Sequence, residues 1–319
     1  MHIQYSFRFA TIDMTGTRTP QILFASITVA AASAFLLRKE RGPIIRSAED
    51  VIASSPTAAD MGFPEKTEFG SFTNKDGILI HTLSLKACTK SKASALFIHG
   101  ISEHSSRPGY CKLYDALSKK GVDVYAMDHR GHGLSGGERG YFENFEDAID
   151  DLETFLHVTM HKNDGSLPLY LIGQSMGGNL AAQIALRLST SEKPPAGLVM
   201  LSPMCGVDFG IVLKIQDALG DILDKFVPKV AIVDGVRPTD LSRDEKEVEN
   251  YKHDPLIVHG KIKLHTALCL KAGFESLAKK KEGINCPVLL LHGTDDKTTS
   301  LTAALDFFDN ISTPKEEKR

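Results

Sequence analysis

Short β-branched runs and longer amphipathic stretches alternate along most of this chain. From about Phe69 onwards, residues 77–85 (GILIHTLSL) alternate apolar and polar positions with the period of a half-buried strand, whereas residues 93–98 (ASALFI) and 122–127 (VDVYAM) are near-continuous apolar runs of the kind buried on both faces. Residues 167–172, 198–201 and 287–291 (PVLLL) predict further strands, and residues 113–120, 145–160, 179–188 and 301–309 predict helices between or after them. This alternation predicts an α/β fold, a mostly parallel sheet with helices on both faces. The stretch 204–274 breaks the rhythm. It is helical and amphipathic (IVLKIQDALGDILDKFV) and lies between two strands, which predicts a helical cap inserted into a core made of residues 65–203 and 275–319.

Residues 1–50 do not read as part of that core. Residues 22–37 (ILFASITVAAASAFLL) run for 16 positions without a charge, and Arg38, Lys39, Arg41 and Arg46 follow. A spanning helix needs roughly 20 apolar residues, so the stretch fits a short membrane anchor, the apolar core of a signal peptide or part of a transit segment. A cleaved signal fits least, because residues 1–20 are long and carry little positive charge. The basic residues on the C-terminal side predict membrane association with the following domain in the cytoplasm. Residues 47–65 read as a polar, Pro-containing linker.

Composition narrows the function classes. Hydrophobic residues make up 42% of the 319 and charged residues 24%, an ordinary globular balance. The net charge is −3 and no basic run stands out, so nucleic acid is not an expected partner. Cys88, Cys111, Cys205, Cys269 and Cys286 are odd in number and scattered, without a CxxC pair. They predict buried thiols, with neither a disulfide framework nor a zinc site.

Two segments match G-x-S-x-G: Gly133-Leu134-Ser135-Gly136-Gly137 and Gly173-Gln174-Ser175-Met176-Gly177. The pattern alone does not choose between them, but context does. Ser175 follows the strand LYLI and precedes the helical GGNLAAQIALRL, and a tight strand-to-helix turn of that kind exposes a nucleophilic hydroxyl above a sheet. Ser135 has no such strand before it and reads as a Gly-rich loop. The plainer account of Ser175, a helix cap among incidental glycines, explains less of this context. His99-Gly100-Ile101 follows the strand ALFI, where an early strand-to-helix loop supplies one oxyanion donor and the residue after the nucleophile supplies the other. The expected donors are the backbone N–H groups of Ile101 and Met176. His99 itself is expected to bond neighbouring backbone and to take no catalytic part.

These residues carry a resemblance. His99-Gly100-Ile101-Ser102-Glu103-His104-Ser105, Asp128-His129-Arg130-Gly131-His132-Gly133-Leu134-Ser135 and Gly173 to Gly178 resemble, in order, the H-G-x-x-E-H-S, D-x-x-G-H-G-x-S and G-x-S-M-G-G segments of monoacylglycerol lipases. Leu241-Ser242-Arg243, Tyr251 and Asp254-Pro255-Leu256 are similar to the end of that family's cap, and Gly293-Thr294-Asp295-Asp296-Lys297 resembles its acid loop. The resemblance runs from about residue 65 to the C-terminus. It implies an α/β-hydrolase fold and a serine esterase acting on monoacylglycerols or lysophospholipids, with a lipid ester as substrate, a membrane surface as partner, and neither cofactor nor metal. It also places the catalytic acid at Asp296 and leaves Asp295 to an Asx-turn at the strand end.

Chain order in this fold is Ser, acid, His. The last histidine of the sequence is His292, which precedes the acid, so the catalytic histidine is expected beyond residue 319. Residues 1–319 taken alone are then expected to have negligible esterase activity. Two further readings compete with the esterase. One is a non-catalytic hydrolase-fold protein that binds lipids or partners. The other, weaker, is an acyltransferase using the same serine.

Overall fold

The computed structural model describes residues 63–64, 66–160, 166–206, 220 and 222–319. All of them belong to one unit, residues 46–319. The apolar stretch 22–37, and the whole of residues 1–50, lie outside the described residues. Among the described residues no helix is long and apolar enough to cross a membrane.

The central sheet is built from β1 (Thr67–Thr73), β2 (Leu79–Leu85), β3 (Ala93–Ile98), β4 (Val122–Met127), β5 (Leu169–Gln174), β6 (Gly197–Leu201) and β9 (Val288–Leu291), in the order β1-β2-β4-β3-β5-β6-β9. β2 is antiparallel to both β1 and β4, and every other pair is parallel. The chain's last two residues pair on the outer edge: Leu290 N–H donates to Arg319 O at 2.8 Å, and Arg319 N–H to Val288 O at 3.0 Å.

The alternation of side chains explains why both faces are covered. From β3, Leu96 and Ile98 enter a core with Ile149, Leu152 and Phe155 of α2 (Phe145–Phe155) and with Leu180 and Ile184 of α3 (Met176–Leu188). Ala95 and Phe97 point the other way, to Tyr110, Cys111 and Tyr114 of α1 (Pro108–Lys119). The expected α/β arrangement is therefore the observed one. β1 was not legible as a strand, because its exposed residues leave no apolar face to read. α2 does not run unbroken to residue 160; it passes into a π-helical turn at Leu156–Met160.

Residues between β6 and β9 include a two-stranded pair, β7 (Ala231–Val233) and β8 (Ile262–Lys263), with α4 (Pro238–Leu241) and α5 (Glu245–His253) between them. α6 (Leu264–Lys280) begins within the stretch 204–274 yet packs on core helices. The Gln183 side-chain amide of α3 donates to Gly273 O at 3.0 Å, and a Cβ on Gly273 would come within 2.6 Å of the Phe145 ring.

Two local features fix the ends of the central strands. The first is close packing. A Cβ on Gly177, in the first turn of α3, would lie 2.0 Å from Ile98 O at the end of β3, and one on Gly173 would lie 2.1 Å from Gly177 O. The second is a set of buried imidazoles. His129 N–H donates to His99 Nε2 at 3.0 Å, and His129 Nε2 lies 3.1 Å from His99 O, tying the ends of β3 and β4 together. His99 Nδ1 also bonds Gly100 O at 2.8 Å, the backbone role expected of it. His132 stacks on Phe142. Burial disfavours charge on all three rings. It holds His99 well below the usual histidine range, His129 down to about 4 and His132 down to about 3.

Two predictions follow from these features. Gly177→Ala should destabilise the protein by about 1–3 kcal/mol or prevent folding, because the added methyl meets backbone. Gly109→Ala, where a Cβ meets nothing within 4 Å, should be neutral or stabilising in the same urea titration. For the histidines, depressed pKa values mean that the unfolded chain binds protons the folded rings refuse. Stability should therefore fall as pH drops below 6.5, continuing to about pH 4 for His129 and about pH 3 for His132. The slope should be at most about 1.4 kcal/mol per pH unit for each ring. Urea unfolding at a series of pH values measures it, and His132→Phe should lose one ring's share of the slope.

Candidate active site

The strand order reverses between β3 and β5, since β3 leads to β4 on one side and β5 to β6 on the other. In open α/β sheets the crevice at such a reversal, beyond the carboxyl ends of the strands, is where ligands bind. Here the loops leaving β3 and β5 meet. Gly100 comes so near the turn after β5 that a Cβ on it would be 3.2 Å from Ser175 Cβ. A pocket of about 530 Å³, counting its open mouth, lies over this meeting point. Gly100, Ile101, Glu103, Gln174, Ser175 and Ser202 line its floor, and Asp296, Thr298 and Thr299 line one side. Val236, Asp240, Leu241 and Tyr251 line it from the segment between β6 and β9.

Ser175 sits at the turn with φ 52° and ψ −120°, a conformation non-glycine residues rarely adopt. Four main-chain bonds hold it there, the longest from Asn179 N to its carbonyl at 3.4 Å. Its N–H donates to Leu201 O at 3.0 Å, and its carbonyl accepts from Gly178 N and from Met204 N, both at 2.9 Å. Met176 opens α3, where a backbone N–H has no acceptor within the helix. Ile101 and Met176 are both buried, and Ser102, next to Ile101, has φ 66°. The candidate nucleophile and both candidate oxyanion donors thus belong to one strained junction. The other G-x-S-x-G serine does not: Ser135 is buried, donates to Asp128 O at 2.6 Å and accepts from His81 N.

The acid loop differs from expectation in one detail. Asp296, not Asp295, makes the Asx-turn: its Oδ1 accepts from Thr298 N at 2.8 Å and Thr299 N at 2.9 Å. Its Oδ2 accepts from the Thr299 hydroxyl at 3.1 Å. Burial works against its charge, but the Thr299 and Thr298 amides and the Ser202 hydroxyl outweigh it and keep the carboxyl below its usual range. Asp295 faces solvent between Lys297 and Arg243.

Several pocket residues were not assigned from the sequence. Glu103 pairs with Arg107, and the Tyr110 hydroxyl bonds both Glu103 and Gln174, building a buried polar wall beside Ser175. The Arg107 guanidinium also lies 5.1 Å from the Tyr251 ring centroid. Glu103 stands in a quoted motif, but its partners are visible only once α1 is packed against β3 and β5. His292, the histidine nearest the acid, bonds the Thr299 hydroxyl at 3.2 Å, with Nδ1 4.0 Å from Asp296. Among the described residues lining the pocket there is no histidine. Nor do the described residues contain a group of three or more His, Cys, Asp or Glu able to hold a metal ion.

Comparison with known proteins agrees with this geometry. Residues 89–319 match the model of the family Hydrolase_4, described as serine aminopeptidase, S33. The chain is 32% identical over 233 residues to an uncharacterized abhydrolase domain-containing protein of Dictyostelium discoideum, covering 72% of this chain and 24% of that one. It is 30% identical to the monoglyceride lipase of Homo sapiens, covering 76% of this chain and 78% of the relative. Among solved structures it resembles the monoacylglycerol lipase of Paleococcus ferrophilus, with a TM-score of 0.61 and 29% identity over 74% of this chain and 85% of that one. The strand order, the strained turn at Ser175 and these matches together make the chain a member of the Hydrolase_4 family of α/β-hydrolases.

Proposed function

We propose that this protein is a serine-dependent carboxylic ester hydrolase acting on monoacylglycerols or lysophospholipids. The carrying observation is the pocket in which the strained Ser175 turn, Ile101 and the half-buried carboxylate of Asp296 converge. The names borne by the human and Paleococcus relatives support the lipid ester class.

In this reading the Ser175 Oγ attacks the acyl carbonyl carbon and gives up its proton to a base. The Ile101 and Met176 N–H groups stabilise the oxygen that becomes negative. The tetrahedral intermediate then expels the alcohol, which takes the proton, and water repeats the sequence to release the fatty acid. Asp296 orients and stabilises the imidazolium of the base. Glu103, Gln174 and Tyr251 offer hydrogen bonds to the polar end of the substrate, while Val236 and Leu241 offer apolar contact to the acyl chain.

We also keep the division into a core of residues 65–203 and 275–319 and a cap of residues 204–274. The cap is proposed to meet the lipid surface through Ile222, Leu223, Phe226 and Ile232, which are 55%, 44%, 79% and 43% exposed.

A second reading, a non-catalytic hydrolase-fold protein that binds lipid, is favoured by one observation: no histidine is found among the described residues of the pocket. Chemical rescue separates the two. Without a base the serine hydroxyl is weakly nucleophilic, so residues 1–319 should hydrolyse a monoacylglycerol slowly, and added imidazole should raise the rate severalfold. Ser175→Ala should abolish the rescued rate while leaving the urea midpoint unchanged. A chain that imidazole does not accelerate would support the binding reading. For the cap, Leu223→Asp combined with Phe226→Asp should lower the rescued rate on micellar monoacylglycerol about tenfold and leave a soluble short-chain ester unaffected.

A further inference from the structure

His265, at the start of α6, is gripped from both sides. Its Nδ1 lies 2.6 Å from Asp224 Oδ2, and its Nε2 lies 2.8 Å from the main-chain oxygen of Glu143. A carboxylate and a carbonyl can only accept. A neutral imidazole has one N–H and can satisfy only one of them, whereas the imidazolium has two and satisfies both. The observed geometry is that of the charged ring.

The surroundings fit a cation. The Tyr141 ring stacks on the imidazole with centroids 5.5 Å apart, and the Glu143 carboxylate is a further negative neighbour. Lys229 and Lys263, which lie over the same Tyr141 ring, are both paired with Glu138. On α6 itself, Cys269 follows one turn later and is uncharged at neutral pH, its thiol pushed up to about 11 by burial and the nearby carboxylates.

What the contact fastens is specific. Asp224 belongs to the short turn in which Phe226 N and Val227 N donate to Leu223 O, the turn that exposes Ile222, Leu223 and Phe226. Its other oxygen, Oδ1, is buried with no hydrogen-bond partner among the described residues. Further along, Leu264 N–H donates to Val230 O and His265 N–H to Pro228 O, so the backbone anchors the end of this segment independently of pH.

We propose that His265 is a proton-operated latch: as an imidazolium it fastens the apolar turn 222–227 to the start of α6 and to the loop at Glu143, and loss of one proton releases that turn. Burial of the ring opposes its charge, yet the Glu143 carbonyl and the Asp224 carboxylate outweigh burial and raise its pKa above the ordinary 6.5. A raised pKa contributes stability that is fully present below 6.5 and is lost as pH rises through the folded value. The latch is therefore closed on the acid side and opens on the alkaline side. That the released turn then meets lipid rests on the reading of the cap given above; the latch does not.

Nitrogen-detected NMR of the His265 ring in the wild-type chain should show both ring nitrogens protonated at pH 6, with one proton lost on going to pH 9. Amide hydrogen exchange of residues 222–230, corrected for the intrinsic pH dependence of exchange, should show protection falling about tenfold over that range. His265→Gln and Asp224→Asn should each give low, pH-independent protection there while leaving exchange in β3 and β5 unchanged. A ring with only one protonated nitrogen at pH 6, or wild-type protection that does not vary with pH, would overturn the latch. Binding to phosphatidylcholine vesicles should strengthen over the same pH interval in wild type and not in His265→Gln. If the ring titrates and protection falls but vesicle binding stays constant, the latch stands and the lipid-facing role of the turn fails.

Discussion

Among the described glycines the one with least room for a side chain is Gly177, in the first turn of α3 against the end of β3, and the pocket depends on that contact. No side-chain atom fits between Gly177 and Ile98 O, and that contact lets the helix start directly above the sheet. Because α3 starts there, the chain leaving β5 must turn within one residue, and Ser175 takes the positive φ that this requires. The same contact brings the loop after β3 beside Ser175, so that Gly100 and Ile101 line the pocket with it. Strain at the serine is thus sustained by packing elsewhere, as strained functional residues usually are.

A buried carboxylate holds the next layer. Asp128, at the end of β4, is fully enclosed. Its Oδ1 accepts from Ser105 N and the Ser105 hydroxyl, and its Oδ2 accepts from Leu134 N, all at 2.7 Å. Burial opposes its charge, but the His81 imidazole beside it outweighs burial and keeps its carboxyl well below the usual range. One ion thereby joins the loop after β3 to the loop after β4. The cost is steric: a Cβ on Gly133 would lie 2.1 Å from Asp128 Oδ2, and its φ is +50°. The glycines and histidines of that loop are accordingly structural, although their sequence looks like an active site.

What the sequence disclosed was set by the range of the forces involved. β3 was legible to the residue because both of its faces are buried and every position reports that fact. α3 was legible, but its start was read three residues late, since Gly177 and Gly178 are poor helix formers and are there for contact alone. Ser175 and Met176 could be placed at a strand-to-helix turn, and Ile101 on the loop after β3, because each junction is contiguous in sequence. Which of the two aspartates closes the turn depends on where the Thr298 and Thr299 amides lie, and composition does not encode that. Tyr110 and Ser202 could not be found at all. Nothing in the sequence says that Tyr110 of α1 will bond Gln174 beside Ser175, or that Ser202 after β6 will line the same pocket, since strands distant in sequence must first pair.

The segment from Tyr251 to Val258 is bound into the floor of the pocket at several points. His104 Nε2 meets Asp254 Oδ2 at 2.8 Å with the imidazole almost wholly enclosed, Val258 N–H donates to Ser102 O at 2.8 Å, and Arg107 rests against Tyr251. These ties make α5 and the loop bearing Ile101 a single doorpost. α4, which contributes Asp240 and Leu241 to the lining, has no buried residue of its own. The Tyr251 side of the pocket is thus fastened to the loop bearing Ile101, whereas Asp240 and Leu241 enter the lining from a four-residue helix that takes no part in these ties. A substitution at Leu241 would therefore reshape the lining without breaking any bond that holds Ile101 in place.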